Sequence, residues 1–113
     1  MGTEFLVTQR FDKSYKKLKK KYVSLPTDVA QFKKDFAENP LLGIHLTGGF
    51  RKVRLAIQSK GKGKSGGARI ITYALLLKEN DNTVVLVDIY DKSEKDTMRE
   101  TEFIEILRDF IEN

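Results

Sequence analysis

The side chains in this sequence with the clearest capacity for chemistry are cations at strand-like spacing. Lys52-Val53-Arg54 alternates basic, apolar, basic, which on a β-strand places Lys52 and Arg54 on one face. Arg69 opens the apolar run that follows, and Lys92 and Lys95 come directly after a third such run. If the three runs are neighbouring strands, five cations converge at one end of a small sheet. Self-repulsion there costs stability unless an anion joins them, and Arg and Lys are the residues that recognise phosphate. Internal ion pairs, Arg54 with Asp88 and Arg69 with Glu94, are the competing expectation. Tyr73 and Tyr90 lie on the adjoining runs, where a tyrosine can stack on a base, donate a proton, or fill the core with its hydroxyl satisfied.

Other chemistries are excluded or weakly supported. The chain has no cysteine, so thiolate catalysis, disulfides and sulfur-ligated metals are ruled out. Its single histidine, His45, cannot build a site that needs two imidazoles, and it falls in a glycine-punctuated stretch where a surface role is expected. Asp88 and Asp91 offer two oxygens with no third acid on the same element, too few for a catalytic metal. Gly61-Lys62-Gly63-Lys64-Ser65-Gly66 spells G-x-G-x-x-G, but a strand pattern follows it where a dinucleotide site needs a helix. The same segment ends like a P-loop, yet the position of the first required glycine is Gln58. What remains is a lysine-studded loop, either solvated or lying along a nucleic-acid backbone.

The elements that would position these residues follow from periodicity. Phe5-Leu6-Val7 reads as a short edge strand. Phe11, Tyr15, Leu18 and Tyr22 form one stripe of an amphipathic helix whose other face is lysine. Pro26 is expected to end it, with Thr27 or Asp28 capping a second helix on Val29, Phe32 and Phe36. That helix stops before Pro40 and makes an antiparallel hairpin with the first. Residues 41–49 read as loop. Val53, Leu55 and Ile57 alternate as a strand; residues 70–77 read as a strand buried on both faces; residues 79–82 read as a turn; residues 84–90 read as a third strong strand. Phe103, Ile104, Leu107, Phe110 and Ile111 mark a last helix, capped by Thr101 or Ser93. The expected fold is α+β: a small twisted antiparallel sheet, made of a short N-terminal strand and a three-strand meander, with an N-terminal helical hairpin and a C-terminal helix.

The chain has 113 residues and a net charge of +5, a length that fits one domain over 1–113. Charge is unevenly spread. Residues 1–70 hold 16 basic and 5 acidic side chains, and residues 71–113 hold 5 basic and 11 acidic. A basic surface beside an acidic tail suggests a polyanionic partner and a second, basic one; solvated helix faces are the plainer explanation. No apolar run approaches the roughly 20 residues that span a bilayer, and residues 1–10 lack the apolar stretch of a signal peptide. The expectation is a cytoplasmic domain without membrane contact.

Three segments carry a resemblance: residues 50–56, the block Gly61-Lys62-Gly63-Lys64-Ser65-Gly66-Gly67-Ala68-Arg69-Ile70-Ile71, and Ile89-Tyr90-Asp91-Lys92-Ser93-Glu94-Lys95. Together with Asn39-Pro40, Gly48-Gly49 and the Phe11 to Leu18 stripe, they resemble the RelE/HigB superfamily of toxins, the HigB-like branch most closely. The glycine block is specific; the helices are not. The resemblance implies a ribosome-dependent endoribonuclease that cuts translated mRNA without a metal or other cofactor, by attack of a ribose 2′-hydroxyl on the adjacent phosphate. It also implies a cognate antitoxin, with which the toxin forms a hetero-oligomer. Carried over by position, it assigns catalytic roles to Lys52, Arg54, Arg69 and Lys92, and substrate contacts to Arg51, Lys60, Lys62, Lys64, Tyr73, Tyr90 and Lys95. Without cysteine, the base and acid must come from Lys, Arg, Tyr or carboxylates, and like-charge crowding suits a lysine to act as base. By the same analogy, losing Arg69 should cost about 3–4 kcal/mol of barrier. Several relatives carry an aromatic where this chain has Met98. The alternatives are a ParE-like gyrase inhibitor, which needs no phosphate grip at the sheet, a non-catalytic RNA-binding module, and a degenerate toxin that only binds its antitoxin.

Overall fold

The computed structural model describes residues 2–79 and 81–113. The elements are β1 (Gly2–Val7), α1 (Gln9–Lys21), α2 (Leu25–Glu38), β2 (Ile44–Thr47), β3 (Phe50–Leu55), β4 (Ala68–Lys78), β5 (Asp81–Asp91) and α3 (Glu100–Glu112), with a short 3-10 turn at Gln58–Lys60. The five strands form one mixed sheet in the order β1-β5-β4-β3-β2. β2 through β5 run antiparallel in sequence, and β1 pairs with β5 in parallel. The α+β class and the β3-β4-β5 meander agree with the sequence; the all-antiparallel layout does not. β1 runs the other way because the chain turns directly into α1, which must cover the sheet from that end.

Helices cover both faces. Phe11 and Leu18 of α1, with Leu25, Val29, Phe32 and Phe36 of α2, pack on Val53, Leu55, Ile70, Val84, Leu86 and Ile89. On the other face Phe103 and Leu107 of α3 pack, with Met98, on Phe50, Ile71, Val85, Val87 and Tyr90. β5 lies between the two layers, so residues 84–91 are all buried. That is why its sequence is nearly continuous in apolar residues rather than alternating. Each large side chain so buried contributes about 1.5–3 kcal/mol.

Local signals set most boundaries. Thr8 caps α1 by accepting the Phe11 N–H at 2.9 Å, and its hydroxyl donates to the Val87 carbonyl at 2.7 Å. α1 ends at Lys21, and Pro26 does not end it but sits in the first turn of α2. A proline there fits because the amide it lacks has no intrahelical partner. The N-cap of α2 is therefore Ser24, not Thr27 or Asp28. The N-cap of α3 is Arg99, not Thr101 or Ser93, and it makes no side-chain cap bond. Within the stretch read as loop, Ile44–Thr47 forms β2, an edge strand too short and too exposed to show alternation. β4 is buried over residues 68–72 only. Leu75, Leu76 and Leu77 are 46%, 39% and 46% exposed, because neither helical layer reaches the β4–β5 tip. Of the expected turn at 79–82, Asn80 lies outside the described residues, and Asp81 and Asn82 already belong to β5.

Candidate phosphate-binding site

β3 is regular, and its alternation sorts its side chains. Val53 and Leu55 enter the layer under α1 and α2, and Phe50 enters the layer under α3. Lys52 and Arg54 share the parity of Phe50 and so project on the α3 side. The register then sets Arg54 opposite Arg69, Arg69 opposite Tyr90, and Lys52 opposite Ile71. Directly opposed residues share a face with Cβ atoms about 4.5–5.5 Å apart. Arg54, Arg69 and Tyr90 thus form one row across three strands, with Lys52 beside it. Like charges directly opposed destabilise a sheet, and among the described residues neither Lys52 nor Arg54 has an acidic partner.

The two ion pairs that would have neutralised the row do not form. Asp88 faces α1 across the sheet, accepting from Ser14 Oγ at 2.7 Å with Arg10 at 3.6 Å. Glu94 pairs with Lys21 of α1 at 2.9 Å. Arg69 is only 6% exposed. Its guanidinium donates to the carbonyls of Lys64 (2.9 Å), Ala68 (3.0 Å) and Ser65 (3.3 Å). It therefore anchors the glycine loop over the end of the sheet. That loop also needs Gly67, since a Cβ there would collide with the Leu55 carbonyl.

Tyr90 is 7% exposed, and its buried hydroxyl has no hydrogen-bond partner among the described residues. Burial pushes its pKa up, partly offset by the Arg69 guanidinium and by the nearby Met98 amide, which makes no bond to it. The phenol therefore stays protonated at neutral pH. Lys95 Nζ stands 6.0 Å from the Tyr90 ring centre and bonds to Glu102 of α3 at 2.8 Å. Lys92 Nζ bonds to the Asp96 carboxylate and, at 2.9 Å, to the Asp96 backbone carbonyl. The Asp96 carboxyl is held below the usual carboxylate range, chiefly by Lys92, with Lys52 and Arg69 adding to the effect.

The remaining residues with expected substrate contacts are distributed differently. Lys60 lies on the opposite side, donating to Asp91 Oδ1 at 2.6 Å and Ser93 Oγ at 3.0 Å, with its side chain 10% exposed and that of Asp91 0%. Arg51 bonds the carbonyls of Leu42 (3.2 Å) and Gly43 (2.9 Å), strapping down the segment before β2. Tyr73 packs on Phe50 at 4.7 Å. It stands four positions along β4 from Arg69, about 13 Å at the rise of a strand. Lys62 and Lys64 are exposed on the loop. Lys64 lines a groove of about 710 Å³ between α2 and the edge of β3, together with Lys52, Arg54, Phe32 and Leu42. His45 bonds the Gly48 carbonyl at 2.8 Å in the β2–β3 connection, and Met98 is buried under α3. Sequence reasoning missed Asp96; its only local signal is the four-residue spacing from Lys92.

No family model matches the chain.

Among the described residues no three His, Asp or Glu side chains gather as a metal-ion group, and no helix is long and apolar enough to cross a membrane. The row gathers uncompensated positive charge from Lys52 and Arg54 beside the buried guanidinium of Arg69 and a neutral phenol, an arrangement suited to holding an anion.

Proposed function

We propose that this chain is a RelE/HigB-type toxin, an endoribonuclease that grips an RNA phosphate on the Arg54–Arg69–Tyr90 row. The observation that carries the reading is that row itself: two arginines directly opposed, a lysine beside them without an acid, and a buried, unpartnered tyrosine hydroxyl at its end. In the proposed reaction Arg54 holds the scissile phosphate, and Arg69 adds its charge while keeping the glycine loop in place. The ribose 2′-oxygen attacks phosphorus, and the bond from phosphorus to the 5′-oxygen breaks. Lys52, as its neutral amine, receives the 2′-hydroxyl proton and becomes an ammonium, and Tyr90 supplies a proton to the leaving 5′-oxygen, so the products are a 2′,3′-cyclic phosphate and a 5′-hydroxyl end. Preorganised cations of this kind stabilise charge that develops in the transition state. The ribosome with its mRNA and a cognate antitoxin are the partners in this reading, and the cytoplasm its setting.

The test is primer extension on mRNA from cells briefly induced for the wild type, for Lys52→Ala/Arg54→Ala and for Tyr90→Phe. New 5′ ends within translated codons, absent from both variants, support the reading. Lys52 and Arg54 are used because Arg69 also holds the glycine loop, and its loss confounds folding with chemistry. Growth arrest with intact mRNA refutes the nuclease and favours a gyrase inhibitor. RNA binding without new ends leaves a non-catalytic RNA-binding module, which the three loop carbonyls occupying the Arg69 guanidinium would favour.

A further inference from the structure

We infer that Asp96 is an internal competitor for the anion site, occupying Lys92 until a phosphate displaces it, and so sets which anions the site accepts. This rests on the reading of the basic row as a phosphate site.

One cation, Lys92 after β5, bonds this carboxylate, and the charges of Lys52 on β3 and Arg69 on β4 reach it through space. Lys92 is the direct partner, bonded to both the carboxylate and the backbone carbonyl of Asp96. The side chain of Asp96 is 89% exposed, whereas that of Lys92 is 30% exposed. The acid therefore reaches the cations from solvent, the direction from which a ligand must come. Its contact with Lys92 closes a turn over residues 92–96, tied at its start by the Glu94 and Lys95 amides on the Asp91 carbonyl, both at 3.0 Å. The Tyr90 hydroxyl, close by in sequence, is buried and has no partner among the described residues. A carboxylate at that place partly neutralises the row, which relieves the opposed arginines in the empty protein.

An exposed ion pair of this kind is weak and easily displaced. A single small anion meets that opposition while gaining little else. A strand carrying successive phosphates binds through Lys52 and Arg54 as well and so loses less of its affinity to the acid. Asp96 thus discriminates against isolated anions in favour of a polymer.

The experiment compares wild type, Asp96→Asn and Asp96→Asn/Lys92→Ala in two titrations at fixed salt. One uses a labelled single-stranded RNA decamer followed by anisotropy; the other uses inorganic pyrophosphate followed by amide chemical shifts. Asp96→Asn should bind pyrophosphate up to about 5-fold more tightly, the fold-change equivalent to an exposed ion pair, and RNA more tightly by a smaller factor. Its RNA salt slope should steepen by about 0.7, the increment for one added phosphate contact on a single strand. Removing Lys92 as well should abolish both gains. Unchanged or weaker pyrophosphate binding by a folded Asp96→Asn variant overturns the proposal, whatever RNA does. Tighter pyrophosphate binding with no RNA binding by any protein upholds the displacement and refutes the nucleic-acid reading instead.

Discussion

Lys60→Met isolates the buried ion pair that removes Lys60 from the phosphate site. Asp91 is fully buried and accepts four hydrogen bonds: from Lys60 Nζ at 2.6 Å, Tyr22 Oη at 2.6 Å, Ser93 Oγ at 2.8 Å and the Ser93 amide at 2.9 Å. Burial alone would raise its pKa, but the Lys60, Tyr22 and Ser93 bonds outweigh it and hold the carboxyl far below the ordinary carboxylate range. Methionine keeps the aliphatic stem and removes only the charge and its two bonds. Stranding one partner of a buried pair costs about 3–5 kcal/mol, and because Tyr22 and Ser93 remain, the lower figure applies. For a chain of this size, about 3 kcal/mol lowers Tm by about 12 °C. Because the folded pKa is depressed, the stabilisation is fully present above the unfolded carboxylate value of about 3.9 and is lost as pH falls through the folded value. The gap between wild type and variant should therefore be full at pH 7 and narrow steadily below pH 4. Thermal unfolding followed by circular dichroism from pH 2.5 to 8 measures it. A loss under about 3 °C at pH 7, or a gap that widens in acid, refutes the reasoning. Loss of RNA binding at unchanged Tm would return Lys60 to the substrate surface.

Further outcomes are expected from single sites. Tyr90→Phe removes a buried hydroxyl that bonds nothing, so Tm should hold or rise, while cleavage measured by primer extension falls about 10²–10⁴-fold if the phenol is the proton donor. A parallel fall in stability would mean that the hydroxyl is satisfied in the folded protein. Lys52→Ala/Arg54→Ala should leave the fold intact, relieve repulsion, and reduce the RNA salt slope by about 1.4, at about 0.7 per contact; an unchanged slope in anisotropy titrations removes both residues from the site. Gly67→Ala drives a methyl into the Leu55 carbonyl and should cost about 1–3 kcal/mol by chemical denaturation. Gly61→Ala meets nothing within 4 Å, and its cost comes only from the positive φ of 73°. Asp88 has its pKa raised by burial against the opposing bonds from Ser14 and Ile89. Its contribution to stability is therefore present below the unfolded value and lost as pH rises, so the Tm of Asp88→Asn relative to wild type should climb between pH 4 and pH 7.

What the sequence could show tracks how local each cause is. The Phe11–Leu18 stripe, the Val29–Phe32–Phe36 face and the Val53–Leu55 alternation were legible because burial on one face writes its period into consecutive residues. The row of Lys52, Arg54 and Arg69 was legible in part, since strand alternation and adjacency in sequence together fix which side chains share a face. β2 was not, because Ile44–Thr47 pairs along one edge and buries little. Nor was the fate of Lys60: its acidic partner stands 31 positions away, and nothing near it in sequence distinguishes a buried lysine from the exposed Lys62. The exposure of Leu75–Leu77 was hidden for the same reason, since helices elsewhere in the chain decide how much of β4 they cover.

The pairing of β1 with β5 bears on how the protein comes to be folded. The cap of α1 depends on the same closure, because Thr8 bonds to Val87, 79 positions away. Contacts of such separation lengthen the search for the native state. During synthesis at about 5–20 residues per second, the first strand must wait several seconds for its partner to be made. Until β5 arrives, β1 has no neighbour in the sheet, and Tyr90 is not yet there to complete the row that Arg54 and Arg69 begin on β3 and β4. The order of synthesis therefore makes the basic row among the last features to assemble.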